Sequence, residues 1–100
     1  MLSKEKIIQT IELNKDKLRS FGVKKLTLVG SYARNEANQN SDVDLLVVFA
    51  EGRGLFDDFV HLSQFLKDLL GLEVDLGEEK LIREELKPYL LSGEKVEALI

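Results

Sequence analysis

Residues 45–49, LLVVF, are apolar without interruption. In a strand, successive side chains point to opposite faces, so this run is buried on both. That demands paired neighbours and further layers, which a 100-residue chain supplies most simply as a small sheet with this strand central and helices packed on it. The run opens as SDVDLLVVF, and Asp42 and Asp44, two apart, project from one face of the strand. Two carboxylates held together repel, and each raises the other's pKa. A divalent cation between them removes the conflict, so the pair reads as a metal site. The plainer reading, turn chemistry in NSD, accounts for Asp42 better than for Asp44.

The remaining pattern builds the layers. Ser3 is placed to cap a helix reaching about Arg19, with Ile7, Ile8, Ile11 and Leu18 at helical spacing. KKLTLVG (24–30) reads as the first strand, and 31 to about 37 as a short helix; NQNS (38–41) is turn-rich. The second strand is 42–49. Residues 55–70 form the clearest amphipathic helix, with Leu55, Phe56, Phe59, Leu62, Phe65, Leu66, Leu69 and Leu70 on one stripe and Gly71 at its C-terminal cap. LEVDLG (72–77) is a third strand carrying Asp75. From 78 onward the chain is helical in tendency, interrupted at Pro88, with Gly93 before a last helical turn. The expected fold class is α/β of the α+β type, a small mixed sheet covered by helices, in one domain over 1–100. The link between the first two strands is too short for a helical crossover, which makes that pair antiparallel.

Composition narrows the chemistry. There is no cysteine and one histidine, His61, so any metal is held by oxygens, which suits Mg2+ or Mn2+. Asp75 is the natural third ligand. Three acids can hold two metals roughly 4 Å apart, one at an attacking oxygen and one at a leaving phosphate. The complementary half is Gly30-Ser31, where strand gives way to helix. Glycine allows close backbone approach, and the serine hydroxyl and the free N–H groups of a helix start attract phosphate. Arg34, one turn on, reaches a phosphate or pairs with a local carboxylate. A net charge of −4 argues against a broad nucleic-acid surface. No apolar segment reaches membrane-spanning length and MLSKEKIIQT lacks a signal-peptide core, so the expected location is the cytoplasm, away from membranes.

Gly30-Ser31, ten intervening residues and Asp42-x-Asp44 reproduce the signature GSx10DxD. With it the chain resembles the DNA polymerase β-like nucleotidyltransferase superfamily, and GSYAR...SDVDLLV is similar to its smallest branch, the minimal nucleotidyltransferases. The likeness extends over nearly the whole chain, from the leading helix to the third-strand VDL and a C-terminal VEALI helix. It implies Mg2+ at Asp42 and Asp44, with Asp75 as third metal ligand and the group that helps take the acceptor's proton, and ATP held at Gly30 and Ser31. It also implies transfer of AMP to a hydroxyl, the acceptor being a tyrosine of a HEPN-domain toxin that such proteins neutralise as antitoxins. Where many relatives have glycine after the Ala-Arg pair this chain has Asn35, which tolerates left-handed backbone angles.

Two rival functions stand beside this one: a module that neutralises a partner by masking it, and a small-molecule nucleotidyltransferase assisted by another subunit. Single residues have plainer readings too. Ser31 serves equally as an N-cap, and Asp75 as a solvated edge acid. His61 is expected at the surface, Phe56, Phe59 and Phe65 in the core, and EEKLIREELK as a solvated helix face.

Overall fold

Helix α1 spans Lys4–Leu13 in the computed structural model, which describes residues 2–88 and 93–100. Ser3 caps it as expected, the Lys6 N–H donating to Ser3 Oγ at 3.1 Å. The single helix expected to reach Arg19 is two, α1 and α2 (Lys15–Ser20), with the break at Asn14. The Asn14 side-chain amide donates to the Thr10 carbonyl at 2.9 Å, while its backbone N–H turns to the Ile11 carbonyl at 3.0 Å. Asparagine competes in this way with regular helix bonding. Ile7, Ile11 and Leu18 still reach one core and are fully buried.

The middle of the chain follows the expected order. Strand β1 (Val23–Val29), helix α3 (Gly30–Ala33), strand β2 (Val43–Phe49), helix α4 (Phe56–Leu70) and strand β3 (Val74–Glu78) succeed one another. β2 pairs antiparallel with β1 and parallel with β3, α4 supplying the crossover that a parallel pair requires. Gly71 ends α4 in the left-handed region at φ 67°, its N–H donating to the Lys67 carbonyl at 2.8 Å.

The C-terminus departs from expectation. VEALI is not a helix: Val96–Ala98 is strand β4, antiparallel to β1, and the sheet order is β3-β2-β1-β4. Without β4, one side of β1 would present unpaired backbone groups, and pairing outweighs the helical preference of Glu, Ala and Leu. Val96, Ala98 and Ile100 alternate onto the core side, whereas Leu99 points outward, 74% exposed. That period of two was present in the sequence. The helical tendency after β3 yields a 3-10 turn at Glu79–Leu81, then turns, with helix starting again at 87–88, the last described residues before the gap. Expectations for 89–92 lie outside the described residues.

The two faces of the sheet differ. One carries Leu26, Leu28, Val43, Leu45, Val47 and Val74, packed on Ile7, Ile11 and Leu18 from the N-terminal helices and on Leu62, Leu66 and Leu70 from α4. Each such side chain contributes about 1.5–3 kcal/mol on burial, which makes this face the main source of stability. The other carries Val29, Asp44, Leu46, Asp75 and Gly77. The 3-10 segment crosses beside it, anchored by Lys25–Glu79 at 3.3 Å. The aromatic stripe on α4 is only partly core. Phe65 packs against Phe21 with ring centroids 5.5 Å apart, but Phe56 is 80% exposed. It stands in the first turn of α4, whereas the helix's buried residues, Leu62, Leu66 and Leu70, come later.

A bidentate pair locks the loop before α4. Arg53 donates to both Asp58 oxygens, at 2.9 and 2.8 Å, and the Gly54 N–H adds a third bond at 2.9 Å. The guanidinium first, then the backbone donor, lower the Asp58 carboxyl from 3.8 to about 2. A depressed carboxylate contributes stability that is complete above its ordinary pKa and disappears as pH falls through the lowered value. The stability gap between the wild type and Asp58→Asn should therefore close as pH falls from 3.8 to about 2, measured by thermal melts across that range.

Candidate active site

Position 30 is where β1 must turn away from the sheet, and its backbone sits at φ 76°. That region penalises any residue with a Cβ. A Cβ there would lie 2.2 Å from Asp44 Oδ2, so the turn and the acid occupy adjoining space that only glycine leaves open. Ser31 follows, half-buried in the first turn of α3. Helix α3 is shorter than expected because Asn35 adopts φ 58°. The Glu36 N–H donates to the Ser31 carbonyl at 2.8 Å and the Asn35 N–H to the Tyr32 carbonyl at 3.2 Å. These two bonds form a Schellman closure, with asparagine in the left-handed position that glycine usually takes. Asn35→Gly should leave stability within about 0.5 kcal/mol, whereas Asn35→Val should cost about 1–2 kcal/mol in urea denaturation, since a β-branched residue is strained at positive φ.

The acids come from adjacent segments. Asp44 is the second residue of β2 and faces Val29 of β1 on one side and Asp75 of β3 on the other. Neighbouring strands lie about 4.8 Å apart, so parallel register brings the Asp44 and Asp75 side chains out on one face together. Burial, then Asp75, then Asp42, push the Asp44 carboxyl up, and only Arg34 pulls it down. Asp42 precedes the strand, is exposed, and borders a neighbouring surface hollow with Ser41, Gln64 and Lys67. Among the described residues no three His, Cys, Asp or Glu side chains are already gathered at metal-holding distance. An all-oxygen set beside a partly buried, charge-loaded Asp44 suits a hard cation.

A hollow of about 380 Å3 joins Gly30, Asp44 and Asp75, with Leu46, Gly77 and Ile82 among its walls. The structure thus brings together Gly30, Asp44 and Asp75, keeps Ser31 beside them in sequence, and leaves Asp42 outside this hollow, on the neighbouring one. Arg34 is exposed and pairs with Glu36 at 3.0 Å, the ion-pair alternative of its two readings, while its charge still acts on Asp44. His61 is exposed, as expected. Gly77 and Ile82 went unnoticed as site residues. Gly77 was legible, since it lies two beyond Asp75 and must share its face.

Comparison with known proteins gives the family. Residues 7–99 match the family model of the nucleotidyltransferase domain. The protein adenylyltransferase MntA of Thermococcus cleftensis is 46% identical over 77 residues, 76% of this chain and 77% of that protein. A solved structure assigned to the minimal nucleotidyltransferases superposes with a TM-score of 0.78 at 34% identity, covering 95% of each chain. The fold also recurs, at TM-score 0.62 and 22% identity, in a complex of a tri-AMPylated Shewanella oneidensis HEPN toxin with its MNT antitoxin, over 92% of this chain and 71% of that one.

Proposed function

This chain belongs to the nucleotidyltransferase domain family and is a nucleotidyltransferase, and we propose that it moves AMP from ATP to a tyrosine hydroxyl of a HEPN-domain toxin, acting as the antitoxin. The observation that carries the reading is the register of Asp44 with Asp75 beside the Gly30 turn. It is supported by the activity named for the Thermococcus relative and by the shared fold of the HEPN complex. We assign the whole of 1–100 to one domain, acting in the cytoplasm without direct nucleic-acid contact. Among the described residues no helix is long and apolar enough to cross a membrane.

Each residue has a part. Asp42, Asp44 and Asp75 would hold Mg2+ (or Mn2+), which supplies charge neutralisation at the phosphates and lowers the barrier to attack. Gly30 lets the triphosphate lie against backbone, and Ser31 Oγ donates to a phosphate oxygen. The acceptor oxygen bonds to the α-phosphorus, the bond from that phosphorus to the bridging oxygen breaks, and pyrophosphate leaves. Asp75, on the acceptor side, takes the hydroxyl proton and passes it to water. Arg34 offsets negative charge around Asp44. Positioning and electrostatics carry most of the rate, as in phosphoryl transfer generally.

Incubating the protein with α-labelled ATP, Mg2+ and a co-purified HEPN partner tests the reading. Label should enter the partner at tyrosine and depend on the divalent ion. Label on a small molecule, or none with partner and metal present, would overturn it.

A further inference from the structure

Beyond Asp75 the sheet face opens into a second hollow of about 580 Å3, walled by Phe56, Phe59, Gly77, Leu81 and Ile82. It shares Gly77 and Ile82 with the acid hollow, so the two adjoin across these residues. Phe56 is 80% exposed and Leu81 70%. Large apolar side chains clustered at a site's mouth mark a binding surface. We propose that this hollow is the acceptor subsite and that it receives the ring of a tyrosine presented by the partner protein, a reading that rests on the transfer reaction above.

The order of strands sets the side. Gly30 closes β1, Asp44 lies on β2 and Asp75 on β3, so the phosphate turn and the apolar hollow stand on opposite sides of Asp44. In-line displacement puts leaving and attacking oxygens on opposite sides of phosphorus. With pyrophosphate leaving toward Gly30, the acceptor approaches past Asp75. Gly77 lies two residues from Asp75 on the same face, about 6.6 Å along the strand. A ring resting over that missing side chain carries its hydroxyl toward Asp75.

The lining decides between occupants. Among the described residues that line it Glu78 is the only charged one, and it is paired to Lys80. A nucleobase has several polar edge atoms, which such walls would leave unpaired at a cost. A serine hydroxyl sits too near its backbone to reach Asp75 without burying peptide groups against apolar side chains. A phenol has one polar atom, and here it points out of the hollow to the acids.

The test is a titration of the 15N-labelled protein with N-acetyltyrosinamide, N-acetylserinamide and adenosine, read by NMR. The tyrosine probe should shift Gly77, Phe59 and Ile82 saturably, and the other two should not. Gly77→Val fills the floor and should remove the response; a Cβ there meets only Leu46 at 3.5 Å, an ordinary contact, so the strand tolerates it. Phe56→Ala should raise KM for the partner about tenfold, with affinity for Mg-ATP within twofold of the wild type. Adenosine shifting these residues in place of the tyrosine probe, or Phe56→Ala weakening Mg-ATP instead, would overturn the subsite. Probe binding requires no turnover, so saturable shifts together with an absence of AMP transfer would sink the reaction and leave the subsite standing. AMP transfer to tyrosine with an unchanged KM in Phe56→Ala would do the reverse.

Discussion

An Asp44→Asn variant is expected to lose AMP transfer by about a thousandfold while remaining folded, with Asp42→Asn close behind. Asp44 is the hub of the site: it faces Asp75 across the parallel ladder, adjoins Gly30 and feels Asp42. Asparagine keeps the shape and removes the charge, so the loss reports electrostatics rather than packing. The same change should stabilise the metal-free protein at neutral pH. Burial and the neighbouring acids raise the Asp44 pKa in the fold, so its contribution is intact below its ordinary pKa of 3.8 and is lost as pH rises through the raised value. Thermal melts without metal should show the advantage of Asp44→Asn vanish on acidification, and added Mg2+ should raise the wild-type melting temperature more than the variant's. The pair of variants also separates catalysis from masking. A protein that neutralises its partner by covering it would do so equally well with asparagine at 42 and 44; an enzyme would not.

Gly30→Ala is expected to damage the site without altering a single charge. The added Cβ would stand 2.2 Å from Asp44 Oδ2 and 3.0 Å from its Cγ, on a backbone already at φ 76°. Backbone strain of this kind costs about 1–3 kcal/mol, seen as a lower urea midpoint. Relief requires Asp44 to move, and displacement of a positioning group by about 1 Å can cost 10²-fold in rate. Transfer should therefore fall about a hundredfold even under conditions where the variant is fully folded. Wild-type rates in Gly30→Ala would mean that Asp44 is not held by this turn.

Much of this was legible because it depends on local rules. The LLVVF run placed β2 inside the sheet, the short link made β1 and β2 antiparallel, and alternation along the strand put Asp44 on the face opposite Val43. Asn35 could be read as a left-handed stand-in for glycine from the family pattern together with asparagine's tolerance of positive φ. What failed depended partly on partners distant in sequence and partly on single side-chain contacts. β4 was hidden because its helical composition yields to pairing with β1, some 70 residues away. Phe56 belongs by periodicity to the buried stripe, yet it is exposed in the first turn of α4. The break at Asn14 turned on one side-chain amide bond that spacing of apolar residues cannot register. For Arg34 the sequence left two partners open, and Glu36, two residues along, takes the ion pair.

The most direct measurement is a crystal grown with Mn2+ and a non-hydrolysable ATP analogue, with the ion located by its anomalous scattering. Expected is manganese ligated by Asp42, Asp44 and Asp75, with the triphosphate against Gly30 and Ser31. Manganese bound elsewhere, with these three carboxylates turned away from it and from the phosphates, would contradict the assignment of this face as the catalytic centre.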